Sequence, residues 1–389
     1  MNGIFKTFKG DKVLWMVVLI LSIFSLLAVY SSISTLAYKY KGGNTAYYFF
    51  KHFFLLAFGL FLMYVTHLVD YKYYSRFSKL LLIITIPLLF LTLIMGTNLN
   101  DANRWLTLPV INLSFQTSDL AKLSLIIYLS RLIAKKQDDI KDLKSAFIPI
   151  ILPVIAVCGL IFPANFSTAA LLFSISLIIM FVGRVSMKYI FSTVALGVLG
   201  IGMLIGIAMI YPKLLPRAET WVHRVETFSS DEVNEDANYQ SEQSKIAIAT
   251  GGVFGKLPGN STQRNFLPHP YSDFIFAIII EEYGFAGGIL VVLLYMIMLY
   301  RGIKIASQSD RMFSSILVMG LSFSLVFQAM INMAVAVNLF PVTGQPLPLV
   351  SMGGTSLWFT SIAIGIILSV SRSVDNDESE DVEVANAKA

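Results

Sequence analysis

An all-α polytopic membrane fold is predicted by three features of this 389-residue chain. It is 56% apolar and only 14% charged, its mean hydropathy is +0.71, and ten windows of about 20 apolar residues can be placed along it. A soluble core with a solvated surface does not have that composition. The net charge of +5 would suggest nucleic acid in a soluble protein. Here the Lys and Arg residues sit mainly in short connections between apolar runs, where they act as topology signals and lipid headgroup contacts, so no nucleic acid partner is expected. Cys158 is the only cysteine, which rules out a disulfide within the chain.

The expected spans are residues 13–35, 48–68, 78–96, 118–134, 146–163, 165–183, 188–211, 272–300, 312–337 and 352–371. The first is too long for a signal-peptide core and has no clear small-residue cleavage site, so it should remain as a span. The fifth and sixth form a tight hairpin through Pro163 and Asn165. Of the 29 Lys and Arg residues, the short loops on one side hold only Lys39, Lys41, Lys51 and Arg104. That side is therefore external and both termini are cytoplasmic. The domain plan is a cytoplasmic N-terminus (1–12), a ten-helix membrane domain (13–371) and an acidic, disordered cytoplasmic tail (372–389). A long extracytoplasmic loop, 212–270, separates the seventh and eighth spans and is exempt from the charge rule by its length. No internal repeat supports an inverted-repeat transporter.

The chain is organised around NFLPHPYSDFIFAIIIEEYGFAGG, residues 265–288. Asp273 stands at the mouth of a long apolar run, with Glu281 and Glu282 inside it. A carboxylate in a bilayer span costs about 2.5 to 3.5 kcal/mol even on lenient scales, so the three together require an explanation. Ser272 or Asp273 could simply cap the eighth span. Glu281 lies about 12 Å further along a helix and roughly 80° around it. Glu281 and Glu282 should face the bundle, as a structural polar network or as gating groups.

The long loop opens with PRAETWVHRVETF, which has the pattern of an interfacial amphipathic helix. Arg217 and Arg224 share one face of it and either hold phosphate oxygens or stay solvated. NYQSEQSKIAIATGG predicts a second short helix, followed by the glycine-rich VFGKLPGNSTQRN. Lys256 and Arg264 there could wrap a pyrophosphate or belong to a plain surface loop; the spacing is not that of a P-loop. Arg104 and Trp105 lie in another outer loop. Lys122, one turn past Asp119, could snorkel or pair with that residue. NLFPVTGQPLPLVSMGGTS is too broken to span and reads as a re-entrant loop, sustainable only where it is buried in protein or lines a cavity. Gln328 and Asn332, at i and i+4, are expected to bridge helices.

Taken in order, NRWLTL with FQTSDLAKL, YQSEQSKIAIATGGVFGKLPGNSTQRNFLP, YSDFIFAIIIEEYGFAGG and PVTGQPLPLVSMGGTS resemble the SEDS family of shape, elongation, division and sporulation proteins, which includes FtsW and RodA. The resemblance covers the whole chain, and the last segment leans to the division branch. It implies a peptidoglycan glycosyltransferase that polymerises lipid II into glycan strands on the outer face of the cytoplasmic membrane. The implied partners are a class B penicillin-binding protein and other divisome or elongasome membrane proteins. The family's essential aspartate falls on Asp273, and its substrate-binding basic residues point to Arg104, Lys122 and Lys256. This chain departs from the family pattern at Gln116–Asp119 (QTSD for QPSE), at Ala164–Thr168 (for PDLGT), at Tyr271 (for histidine) and at Met352 (for the tyrosine of SYGG).

Forming a β-linked glycan from an α-linked lipid diphosphate requires inversion at the anomeric carbon. Asp273 would be the general base, its basicity helped by Phe266, Phe274 and Phe276. Cations would stabilise the departing pyrophosphate. No residue cluster has the spacing of a protein metal cage, so a divalent cation such as Mg or Mn would ride on substrate phosphates. The rival functions are a lipid II translocase and a non-catalytic division scaffold.

Overall fold

The computed structural model describes residues 9–99, 102–108, 113–210 and 235–388. Its helices, in chain order, are α1 (Lys12–Ser32), α2 (Ser34–Lys41), α3 (Thr45–Leu68), α4 (Tyr71–Met95), α5 (Thr117–Lys135), α6 (Ile148–Ile161), α7 (Phe166–Val182), α8 (Met187–Ile210), α9 (Glu235–Gly251), α10 (Ile275–Gln308), α11 (Met312–Ala336) and α12 (Ser356–Lys388). Seven helical segments are long and apolar enough to cross a membrane, and α7 and the start of α8 are shorter apolar helices. Each of the ten expected windows overlaps one of the helices α1, α3–α8 and α10–α12, and seven segments meet this criterion among the described residues. α5 falls short because it carries Asp119, Lys122 and Arg131, and protein accommodates its polar residues: Asp119, Ser124 and Ser130 are all buried. A helix that does not face lipid can carry polar residues.

Two expectations give way. The loop holding Arg104 is a small antiparallel sheet, β1 (Thr97–Leu99), β2 (Ala102–Leu108) and β3 (Leu113–Gln116), in the order β1-β2-β3. In β2 and β3, Trp105 pairs with Gln116 and Thr107 with Ser114, whose hydroxyls meet at 2.8 Å. The acidic end, expected to be disordered, continues α12 as helix to Lys388. No Gly or Pro follows Gly365, and Glu, Ala and Lys are good helix formers.

α1 is locked to α10 at both of its ends. At its start Asp11 accepts the Leu14 N–H at 2.9 Å as N-cap and takes Arg301 Nε at 2.6 Å, with a second contact from Arg301 Nη2. At its finish Ser31 meets Glu282 and Arg264. His67 Nε2 lies 2.8 Å from the Lys9 carbonyl and Arg372 donates to the Leu68 carbonyl at 3.0 Å, so Lys9 and Arg372 share the Asp11 end of the bundle. The Asp11 carboxylate is buried, whereas the Arg301 side chain is 23% exposed. Asp11→Ala is therefore expected to cost about 3 kcal/mol, the lower edge for breaking a buried pair. It should lower the midpoint of thermal unfolding in detergent, and an unchanged midpoint would contradict this account.

Helix α10 is two helices. Gly284 has φ 70° and ψ −173°, a non-helical break between Ile275–Tyr283 and Phe285–Gln308. The loop after α9 closes over the break. Lys256 N donates to the Glu281 carbonyl at 2.9 Å, while Phe285 N reaches the Gly252 carbonyl at 2.9 Å and Ala286 N the Val253 carbonyl at 3.3 Å. Backbone groups freed by the break are paired again, as a broken helix at membrane depth requires. The second half, Phe285–Gln308, runs about 36 Å at 1.5 Å per residue and is long enough to span by itself. Glu281 and Glu282 thus lie just before the break, and both are buried in protein.

Candidate active site

Asp273 sits in the turn before α10 and is half-buried. The N-cap of α10 is Phe274, with no side-chain cap bond, so neither Ser272 nor Asp273 performs that common structural role. Ser272 Oγ donates to Asp273 Oδ1 at 3.0 Å. The turn itself is gripped from the side. Asn332 Nδ2 donates to the Asp273 carbonyl at 2.8 Å and to the Gln345 carbonyl at 2.7 Å. Ser351 Oγ donates to the Ser272 carbonyl at 2.6 Å, and Met352 N to the Tyr271 carbonyl at 2.9 Å. Phe274, Leu267, Ile278 and Val335 form a separate apolar cluster behind the turn. Phe266, expected in the apolar frame, is instead 54% exposed.

The non-helical segment between α11 and α12 supplies most of this grip, and it is buried in protein as its broken sequence demands. Gln345, Leu347, Val350 and Ser351 are each at most 4% exposed. Gln345 Nε2 donates to Thr168 Oγ1 at 2.8 Å, and Gln328 Nε2 to the Pro346 carbonyl at 2.9 Å. Gln328 Oε1 in turn accepts from Lys122 Nζ at 2.9 Å, and the same ammonium pairs with Asp119 Oδ1 at 2.8 Å. Lys122 and Asp273 are therefore fastened to neighbouring residues of one loop through Gln328 and Asn332, one helical turn apart. Gln328 links α5 to that loop, whereas Asn332, expected to bridge helices, binds two loop carbonyls. Asp119, Lys122, Ser324, Gln328 and Thr360 border a cavity of about 30 Å³.

Arg104 stands on β2, where its Nε donates to the Ala164 carbonyl at 2.9 Å beside Asn165, which caps α7. Lys256 and Arg264 join a second cluster. Lys256 Nζ contacts Glu281 Oε1 at 2.7 Å, and Arg264 Nη1 donates to the Ser31 carbonyl at 3.0 Å. Glu282 accepts from Ser31 Oγ and from Ser261 N at 3.3 Å. Lys256 and Arg264, the residues expected to wrap a pyrophosphate, are thus each bonded to protein, and the Lys256 side chain is still 28% exposed. Arg217 and Arg224, with the amphipathic helix expected to carry them, lie outside the described residues. Gln345, Ser351 and Ser31 are the site residues that sequence reasoning missed. The broken PVTGQPLPLVSMGGTS segment signalled a buried loop, but nothing in the sequence says which of its polar atoms meets which carbonyl.

Asn332→Leu removes the donor from two carbonyls and is expected to leave each short of a hydrogen bond, at about 1 to 3 kcal/mol apiece. A turn displaced by even an ångström should lose about 100-fold in turnover. Activity retained within twofold would show that Asn332 does not set the turn.

A family model for FtsW, RodA and SpoVE, described as cell cycle protein, matches residues 11–376. The chain belongs to the FtsW/RodA/SpoVE family. It is 33% identical to stage V sporulation protein E of Bacillus subtilis over 94% of this chain and 98% of that protein. It is also 33% identical to a probable peptidoglycan glycosyltransferase FtsW of Trichlorobacter lovleyi, over 94% of each. Among solved structures, a chain of a peptidoglycan synthase complex that coordinates polymerisation and crosslinking superposes with a TM-score of 0.74 at 24% identity, covering 94% of this chain and 98% of that one. RodA of Thermus thermophilus superposes at 0.66 with 22% identity, covering 93% and 97%. These structural likenesses place the fold of this FtsW/RodA/SpoVE member among polytopic helical membrane proteins, as its sequence predicts.

Proposed function

We infer that this FtsW/RodA/SpoVE member is a peptidoglycan glycosyltransferase that polymerises lipid II during cell division or elongation. The observation that carries this reading is Asp273: a half-buried carboxylate held by Ser272, in a turn braced by Asn332 and Ser351, and not used to cap a helix. Relatives named as probable peptidoglycan glycosyltransferases support the reaction class. Asp273 accepts the proton of the acceptor sugar hydroxyl as that oxygen attacks the anomeric carbon of the lipid-linked donor. The bond from that carbon to the diphosphate breaks on the opposite face, and the electron pair leaves on the polyprenyl diphosphate. The configuration inverts from α to β. Arg104, Lys122, Arg217 and Arg224 are the cations proposed to stabilise the departing charge. A divalent cation, where used, would be carried by the phosphates.

The Asp273 end of the bundle is the extracytoplasmic face of the cytoplasmic membrane in this reading, and the Asp11 end, with both termini, is cytoplasmic. The charge distribution supports that orientation, because Lys9, Arg301 and Arg372 gather at the Asp11 end. The partner is proposed to be a class B penicillin-binding protein, in keeping with the synthase complex that shares the fold. Purified protein with such a partner and lipid II, in detergent, should yield glycan strands. Detergent abolishes sidedness, so a translocase or a scaffold would make none, and failure to polymerise would refute the reading.

A further inference from the structure

The loop between α9 and α10 is organised by a carboxylate that the reaction does not use. Glu281 is fully buried and gathers donors from three consecutive residues. Thr262 N reaches it at 3.0 Å, Thr262 Oγ1 at 2.8 Å and Gln263 N at 3.2 Å, alongside Ser261 Oγ. Lys256 completes the set. Its ammonium lies 2.7 Å from Glu281 Oε1 and 2.9 Å from Thr262 Oγ1, while its backbone N–H holds the Glu281 carbonyl. Residues 256–263 are thereby fixed onto the first half of α10, the half-helix that begins two residues after Asp273. From Gln263 the chain continues through Arg264, anchored on Ser31, and Leu267, packed against Phe274 and Ile278, into the Asp273 turn. Asn332 and Ser351 hold that turn from one side, and the Glu281-held loop enters it from the other.

We propose that Lys256 and Glu281 are a positioning pair for the polymerisation reaction: Lys256 acts through Glu281, which holds the loop that delivers Asp273, rather than by touching the substrate pyrophosphate. The inference rests on the glycosyltransferase reading above. A fully buried carboxylate needs a cation to offset its lost hydration. Lys256 is the cation in contact with it, with only 28% of its side chain exposed. Two of the three donors of that ammonium are directed at Glu281 and Thr262. A direct phosphate ligand and a positioning residue also differ in kinetics. Losing a ligand that acts independently of Glu281 multiplies with the loss of Glu281, whereas losing a positioner that acts through Glu281 does not.

The test uses the full chain in detergent, with a class B penicillin-binding protein and lipid II. Wild type, Lys256→Met, Glu281→Gln and the double variant are compared in steady-state polymerisation and in amide hydrogen exchange across residues 256–265. Each single variant is expected to lose about 10-fold in kcat with KM within about twofold, and the double variant should be no worse than the poorer single. Exchange at Thr262 and Gln263 should rise about 10-fold in Glu281→Gln, and Lys256→Arg should restore most of the activity that Lys256→Met loses. Independent, multiplying losses in the double variant would overturn the pair, as would a raised KM in Lys256→Met with native exchange. If the wild-type chain makes no glycan, the glycosyltransferase reading falls. The exchange measurement then still decides whether Glu281 holds the loop, and native protection in Glu281→Gln would refute it.

Discussion

Replacing Asp273 with Asn is expected to abolish glycan polymerisation, a loss of about 10²- to 10⁴-fold for a removed general base, while the protein stays folded. The substitution keeps the shape of the side chain and an oxygen that can accept from Ser272 Oγ, which lies 3.0 Å from Oδ1. The bonds that brace the turn go to main-chain carbonyls of Ser272 and Asp273, from Ser351 and Asn332, and do not depend on the carboxylate. What disappears is the negative charge and with it the capacity to accept a proton. Polymer yield from lipid II and the unfolding midpoint in detergent, measured on the same preparation, separate the two effects. Polymer made at the wild-type rate would remove Asp273 from the chemistry. Loss of activity accompanied by a large fall in the midpoint would reassign it to structure.

Much of this architecture is legible in the sequence because apolar length is a local property. The windows at 48–68 and 312–337 differ from α3 and α11 by only a few residues. The second short helix of the long loop is present as α9. Side-chain partners are not local, and the sequence does not reveal them. Lys256 reads as a phosphate ligand because it lies in a glycine-rich loop, yet its counterion is 25 positions away on another element. Glu281 and Glu282 read as carboxylates deep in a span because the apolar run around them is unbroken, and only the backbone at Gly284 shows that the helix breaks just after them. Gln345, the residue that joins the Asp273 brace to Thr168, is one polar side chain among several in a proline-rich stretch. Its role depends on a contact with α7, 177 positions away in the chain. Lys122 and Asp119 were easier, because an i, i+3 pair on one helix is set by local geometry alone.

The largest stability effect is expected at Gly284. Its φ of 70° with ψ of −173° lies in a region that is essentially glycine-only, and a non-glycine residue held there costs of order 1 to 3 kcal/mol. Space adds to the penalty. A Cβ on Gly284 would stand 2.2 Å from the Val253 carbonyl oxygen and 2.5 Å from Gly255 N, both main-chain atoms that cannot swing aside. Gly284→Ala must therefore push the 252–256 loop off the helix break. Phe285 N and Ala286 N then lose the Gly252 and Val253 carbonyls, at about 1 to 3 kcal/mol for each donor left unpaired. The combined loss should exceed about 3 kcal/mol. Gly259 supplies the control, since its φ is +84° but nothing lies within 4 Å of its would-be Cβ. Gly259→Ala should cost only the backbone term, about 1 to 2 kcal/mol. Thermal unfolding of both variants in detergent gives the comparison, and hydrogen exchange at Phe285 and Ala286 shows whether the loop has lifted. Equal midpoints for the two variants would mean that the break in α10 tolerates a side chain, and that the loop after α9 does not hold it closed.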